Sequence, residues 1–284
     1  MSSKVSIILL TYNQVDYIEE AINSVFSQTY NNWELIISDN GSEDGTKELL
    51  SKYKDDKRIQ LLFYDSNEYV TKRTNQALQK ASGEFISFLY GDDYYLPNKI
   101  EDQIDCFKSL SKKWGMVHGP WFSYDQFTKK RTLETSLKVH GEALKEILEN
   151  HVVKGDLNPI SPLIRKECFA KYSFYEDLFT EGESIFKRIA LSYKFFYLDK
   201  PLVVMRVHDK NARWFSKRNI EIVDACLERL IQQEDFPEDC IKVLAKSRSH
   251  NYSNGAWENI RPVSYTHLRA HETLRYLVCR LLLE

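Results

Sequence analysis

No two cysteines in this chain are spaced for metal or redox work. Cys106, Cys168, Cys226, Cys240 and Cys279 are odd in number and scattered, with no C-x-x-C pair; they read as idle thiols of a reducing compartment. Charge of one sign is also missing. Lys and Arg number 39 against 41 Asp and Glu, a formal net charge of −2, so the molecule as a whole has no electrostatic footprint for nucleic acid and any basic patch must be local. No apolar run reaches the roughly 18 residues that a membrane span needs, and the first residues lack the charged, apolar, small-residue order of a signal peptide. Internal repeats and low-complexity linkers are absent too. The expectation is a cytoplasmic protein, with association at the cytoplasmic face of a membrane left open and with oligomeric state undetermined.

What is present suffices for an enzyme: 284 residues bury a large core in one sizeable domain with an appendage, or in two modest domains. Val5 to Leu10 is a continuous β-branched and aliphatic run, as expected for a parallel strand buried on both faces. After it, Ile18, Ala21, Ile22, Val25 and Phe26 recur at helical spacing, with Asp16, Glu19 and Glu20 in the early turns where the helix dipole favours acids. Trp33 to Ser38 predicts a second strand, about Asp44 to Tyr53 a helix, Ile59 to Phe63 a third strand and Thr74 to Ala81 a third helix. Phe85 to Tyr90 predicts the fourth strand, followed by a helix over Asn98 to Leu110. This alternation implies an α/β fold, Rossmann-like and doubly wound, with a mostly parallel sheet. The second half is less regular, with strands at Trp114 to Gly119, Phe195 to Leu198 and Pro201 to His208, the first of them followed by Trp121-Phe122-Ser123-Tyr124. Helices are expected over Glu142 to Glu149, over Glu183 to Leu191 and, split at Phe236-Pro237, over Asn219 to Lys246. Lys129 to Lys138 reads as a basic, polar stretch.

Three of the strands stop at polar groups: Thr11-Tyr12-Asn13, Asp39, and Asp92-Asp93. Parallel strands present their carboxyl ends on one edge, where open α/β sheets bind ligands, so these groups are expected to converge. A plainer reading of Asp92 and Asp93, as openers of a surface turn before the helix that Pro97 starts, stands beside it.

In order and spacing the text resembles the family 2 glycosyltransferases of the GT-A fold over residues 4 to 212. The resemblance rests on Val5-Ser6-Ile7-Ile8-Leu9-Leu10-Thr11-Tyr12-Asn13, Ser38-Asp39-Asn40-Gly41-Ser42, Asp44-Gly45-Thr46, Asn75, Ala81-Ser82-Gly83-Glu84, Asp92-Asp93, Pro97 and Arg206-Val207-His208. It implies that Thr11, Tyr12 and Asn13 cradle the nucleotide and that Asp39 accepts from the uracil of a UDP-sugar. It further implies that Asp92 and Asp93 meet the ribose and diphosphate through Mn2+ or Mg2+, with His208 completing the metal shell; Asp93 and His208 are the expected metal ligands. The implied reaction is inverting transfer to an acceptor hydroxyl, on a saccharide or lipid-linked saccharide, in cell-surface polysaccharide or glycolipid assembly.

The chain departs from the family's text at two places. Tyr90-Gly91-Asp92-Asp93 stands where relatives carry Asp-x-Asp-Asp, and Glu181-Gly182 where they carry the Glu-Asp that supplies the catalytic base. Glu181 or Glu183 then substitutes, the base lies elsewhere, or activity is impaired. Glu181 is the favoured candidate by a small margin, because it occupies the glutamate of the family pair. The rivals are a catalytically inactive sugar-nucleotide-binding protein and a nucleotidyltransferase-like enzyme. The expected domain plan is a glycosyltransferase domain over 1–212, with a nucleotide-sugar half to about 110 and an acceptor half from about 111. A helical appendage over 213–261 and a non-native tail over 262–284 complete it. That tail resembles a read-through end; its His267 and His271, at i, i+4, have no third ligand in sight and are not expected to bind metal.

Overall fold

A computed structural model describes residues 2–135, 137–153, 159–182, 184–209, 211, 217–247 and 249. The tail over 262–284 and Glu183 lie outside them. The strands are β1 (Val5–Thr11), β2 (Trp33–Asp39), β3 (Ile59–Phe63), β4 (Phe85–Tyr90), β5 (Tyr94–Tyr95), β6 (Trp114–His118), β7 (Trp121–Asp125), β8 (Arg131–Glu134), β9 (Leu163–Arg165), β10 (Lys194–Tyr197) and β11 (Val203–Val207). The helices are α1 (Ile18–Phe26), α2 (Thr46–Leu50), α3 (Val70–Lys80), α4 (Lys99–Ser109), α5 (Leu144–Val153), α6 (Lys166–Lys171), α7 (Ser184–Ile189) and α8 (Lys217–Ile231).

Seven strands form one sheet in the order β10-β6-β9-β4-β1-β2-β3. The pairs β1–β2, β1–β4, β2–β3 and β6–β10 are parallel, whereas β9 runs antiparallel to both β4 and β6. Side chains alternate across a strand, and that alternation sorts the apolar residues into two cores. Val5, Ile7 and Leu9 of β1 pack with Ile18, Ile22 and Val25 of α1 and with Ile100 and Ile104 of α4. Ile8 and Leu10 face the other way, toward Ala77 and Leu78 of α3, Ile147 of α5, Ile185 and Ile189 of α7 and Leu227 and Leu230 of α8. A sheet covered by helices on both faces explains why its strands read as unbroken apolar runs.

The second, four-stranded sheet has the order β5-β11-β7-β8 and lies beyond the carboxyl end of β4, since β5 follows Asp92 and Asp93 directly. Its strand β11 runs antiparallel to β5 and parallel to β7.

Most expected elements stand within two residues of their predicted bounds, and the differences have tertiary causes. Helix α3 begins at Val70, four residues before the expected Thr74, because Val70 N–H finds Phe179 O at 3.2 Å and Thr71 Oγ1 donates to Leu178 O at 2.6 Å. Those partners satisfy the open first turn from about a hundred residues away. The polar stretch 129–138 contains β8, which owes its strand form to pairing with β7. The segment around Pro159 and Pro162 ends in β9, inserted antiparallel into an otherwise parallel sheet. Among the described residues no helix is long and apolar enough to cross a membrane.

Candidate active site

The register brings the expected residues to one edge. Thr11 pairs with Asp39 across β1 and β2, and Leu10 with Tyr90 across β1 and β4. Asn40 N–H donates to Thr11 O at 2.9 Å and Gly91 N–H to Leu10 O at 3.0 Å, so the ladder runs to the last residues before the loops.

The loop after β1 is built onto the loop after β2. Asn13, with φ of 53°, occupies the left-handed region that Asn tolerates better than most residues. Its N–H donates to Ser42 Oγ at 2.8 Å and its Oδ1 accepts from Glu43 N–H at 2.9 Å. Gln14 N–H donates to Thr46 Oγ1, and Val15 N–H to Asp44 Oδ2, both at 3.0 Å. This stitching is the physical content of the Asp44-Gly45-Thr46 text. Thr11 is buried and donates to Gln14 Oε1 at 2.9 Å, while Tyr12 is exposed. Gly91 accounts for its own place: a Cβ there would stand 2.8 Å from Thr11 Oγ1 and closer still to Gln14 Oε1.

Asp39 is fully buried, and burial pushes its carboxyl pKa up against the pull of the Ser42 hydrogen bonds. Ser42 N–H reaches Oδ2 at 3.2 Å, and Ser42 Oγ donates to Oδ1. Behind it Asn40 Oδ1 accepts from Arg73 Nε at 2.8 Å, and the Arg73 guanidinium lies 3.6 Å from the centre of the Tyr64 ring.

Asp92 and Asp93 part company. Asp92 Oδ2 lies 3.1 Å from His208 Nε2 and accepts from Asn211 Nδ2 at 3.2 Å. The His208 ring stacks on Tyr17 of the α1 approach, with centroids 4.7 Å apart and planes inclined by 27°. Asp93 turns inward, 5% exposed, and its Oδ1 accepts from Arg206 N–H at 2.9 Å. Burial, reinforced by the neighbouring Asp92 charge, pushes its pKa well above the ordinary carboxylate value. The expected metal pair of Asp93 and His208 is therefore not what the geometry brings together; the carboxylate beside His208 is Asp92. Among the described residues no three His, Cys, Asp or Glu groups cluster as a complete metal shell. Asp92 and His208 are the two side chains of this cluster that could hold a metal ion.

Arg206 was legible only as part of a motif, and the structure gives it a position. Its Nε donates to Asp92 O at 3.0 Å, Nη1 to Gln126 Oε1 at 3.0 Å and Nη2 to Glu20 Oε2 at 2.5 Å. Tyr17, Tyr94 and Tyr124 ring the guanidinium at 5.0, 5.5 and 5.8 Å. The available signal was the i, i+2 spacing of Arg206 and His208 at a strand end. Tyr17 and Asn211 carried none.

The base candidates fare differently. Glu181 is buried, its Oε1 accepts from Arg188 Nη2 at 2.5 Å and Nε at 2.9 Å, and its Oε2 accepts from Tyr175 N–H at 3.0 Å. Burial raises its pKa and Arg188 opposes the rise. A carboxylate held this way closes the 175–188 segment, and none of its partners belongs to the strand-end cluster. Gly182, at φ of 51°, has open space where a side chain would begin. A hollow of about 680 Å³, lined in part by Asn75, Gly83, Glu84, Arg165 and Lys166, lies at the opposite end of β4 from Asp92 and Asp93.

The model of the family described as Glycosyl transferase family 2 matches residues 6–164. The chain is similar to the putative teichuronic acid biosynthesis glycosyltransferase TuaG of Bacillus subtilis (39% identical over 108 residues, 38% of this chain and 43% of the relative). It is similar also to the UDP-Glc:alpha-D-GlcNAc-diphosphoundecaprenol beta-1,3-glucosyltransferase WfgD of Escherichia coli (43% over 100 residues, 35% of this chain and 39% of the relative). The matched stretch thus spans less than half of either relative. Among solved structures, S. aureus TarS 1–349 in complex with UDP-GlcNAc superposes with a TM-score of 0.74 at 20% identity, covering 93% of this chain and 77% of that one.

Proposed function

Because the chain belongs to glycosyl transferase family 2, we propose that it moves a sugar from a UDP-sugar to an acceptor hydroxyl, with inversion at the anomeric carbon. The acceptor is a saccharide or lipid-linked saccharide of cell-surface polysaccharide or glycolipid assembly, in line with what TuaG and WfgD are named for. The observation that carries this reading is the meeting of Thr11, Asp39 and Asp92 at one sheet edge, with His208 brought onto Asp92 from the end of β11.

Asp39 retains lone pairs beyond those that Ser42 uses and can accept the N3–H of uracil, while repelling a base edge that presents an acceptor. Thr11, Tyr12 and Asn13 form the loop beside it. Asp92 and His208 would hold Mn2+ or Mg2+, which when bound neutralises charge on the departing diphosphate. Asp93 acts one step back, fixing the Arg206 backbone while the Arg206 side chain fixes the Asp92 carbonyl. With Glu181 committed to Arg188, the proton-accepting role falls to Glu183: it takes the acceptor hydroxyl proton as the new C1–O bond forms and the bond to diphosphate breaks.

Gly182, standing where relatives carry the base, favours a second reading as an inactive sugar-nucleotide-binding protein. Incubating the chain with a UDP-sugar, Mn2+ and an acceptor separates the readings. Acceptor-dependent release of UDP supports transfer, binding without release supports the inactive protein, and release of pyrophosphate supports a nucleotidyltransferase.

A further inference from the structure

The hairpin of β7 and β8 touches the site through Tyr124 and Gln126, which line Arg206, but its outward residues belong to none of the chemistry above. Its turn is firmly built: Asp125 N–H donates to Lys130 O at 2.9 Å, and Asp125 Oδ1 accepts from Phe127 N–H at 2.9 Å and Thr128 N–H at 2.8 Å. Lys129 adopts φ of 56° to close it. This frame holds apolar side chains out in solvent, Phe127 at 69% and Leu133 at 54% exposure. Between them lie Lys129, Lys130 and Arg131, all exposed and without an acidic partner among the described residues. Arg131 lies over the Phe122 ring at 3.8 Å. Alternation along paired strands puts Arg131 and Leu133 on the same face as Phe122 and Tyr124. The acids nearby are spent or turned aside, since Asp125 caps the turn and Glu134 is half-buried opposite Trp121.

Three adjacent cations flanked by an exposed aromatic and an exposed aliphatic side chain are complementary to one kind of surface. An anionic bilayer attracts the charges and accepts the apolar groups at the level of its headgroups. A soluble protein partner or a nucleic acid would not require an exposed aromatic side chain at the turn beside three cations.

We propose that the hairpin from Trp121 to Glu134 is a membrane-docking element that seats the protein on an anionic phospholipid surface through Phe127, Lys129, Lys130, Arg131 and Leu133. The placement matters for the site. Gln126, next to Phe127, donates its N–H to Val207 O at 2.9 Å and accepts from Arg206 at 3.0 Å, so the tip is tied directly to the strand end that carries His208. Docking would bring that strand end to the height at which a lipid-borne acceptor presents its sugar. The inference rests on the reading of such an acceptor, but its test needs no turnover, so its failure is distinguishable from failure of the transferase reading.

The test is co-sedimentation of the full chain with vesicles of phosphatidylcholine alone or with about one third phosphatidylglycerol. The parent should bind the anionic vesicles and leave the neutral ones. Lys129→Asn with Lys130→Gln should weaken binding about 25-fold, roughly fivefold per charge, and Phe127→Ser about tenfold or more. Melting temperature and UDP affinity should stay at parental values in both variants, because neither touches the strand-end cluster. Equal binding to neutral vesicles, or variants that bind anionic vesicles like the parent, overturns the proposal. So does a parent that ignores vesicles and instead forms a dimer that Phe127→Ser returns to monomer, which would assign the tip to a second copy of the chain.

Discussion

At Asp92 one carboxylate oxygen serves both His208 and Asn211, and an arriving cation would compete for that oxygen. Asp92→Asn should therefore lower the metal-dependent part of UDP affinity by about 10- to 100-fold, measured by calorimetry with and without Mn2+. Asp93→Asn should leave that affinity within about threefold, because an amide oxygen still accepts from Arg206 N–H. The two also differ in pH response. A carboxyl whose folded pKa is raised contributes stability that is complete below its unfolded value of 3.8 and lost as pH climbs through the folded value. Asp93→Asn has no such loss, so its urea midpoint should gain on the parent's as the pH rises above about 4; a constant gap would show that Asp93 is ionised in the native protein. Glu181 and Glu183 give another contrast. Glu181→Gln breaks a buried ion pair and should cost on the order of 3 kcal/mol of stability. Glu183→Gln should keep the parental melting temperature and lower kcat by roughly 10²- to 10⁴-fold. If Glu183→Gln turns over like the parent, the base is another group.

At the scale of elements, β4 and α4 are joined by a lysine that has no business with solvent. Lys99 is 1% exposed, donates to Ser87 Oγ at 2.6 Å and Gln103 Oε1 at 2.9 Å, and lies 4.2 Å from the centre of the Tyr95 ring. Burial without an acid partner holds its pKa well below the ordinary 10.5. In the unfolded chain it takes up a proton at about its ordinary value, so the native state loses relative stability as pH falls from there through the folded pKa. Lys99→Met is free of that loss, and denaturation of both forms across alkaline to neutral pH should show the variant gaining as pH falls. Parallel pH profiles would mean that Lys99 stays charged in place. Sequence could not show this, because Lys99 follows Pro97-Asn98 as an unremarkable first-turn residue, and only the packing of α4 over Ser87 seals it from water.

For the whole molecule, α8, which lies in the stretch expected as a helical appendage, contributes side chains to the main core. Leu227 and Leu230 of α8 are buried in the same core as Ile8 and Ile86 of the central sheet. Leu227→Ala should accordingly cost about 2 to 5 kcal/mol, whereas truncation after Arg261 should leave melting temperature and UDP binding unchanged; a neutral Leu227→Ala would make α8 dispensable. Much of this architecture was open to reading in advance. Unbroken runs such as Val5 to Leu10, helical spacing such as Ile18 to Phe26 and the acids at strand ends are local records of a mostly parallel sheet buried on both faces, so the convergence of Thr11, Asp39 and Asp92 at one edge could be expected from the alternation of strands and helices. What the chain did not record was every contact made across distance between chemically equivalent groups. Two adjacent aspartates carry no sign of which will meet His208 and which will bury itself under Arg206, since that depends on β11 arriving from 113 residues away. Glu181 in sequence is any glutamate before a helix, and only the fold places Arg188 on it. Sequence determined most of the elements and the sheet edge at which Thr11, Asp39 and Asp92 meet, because those depend on local periodicity and parallel topology. Tertiary structure alone decided the partner of each carboxylate, because the donor that meets it in the native state is set by how distant elements pack.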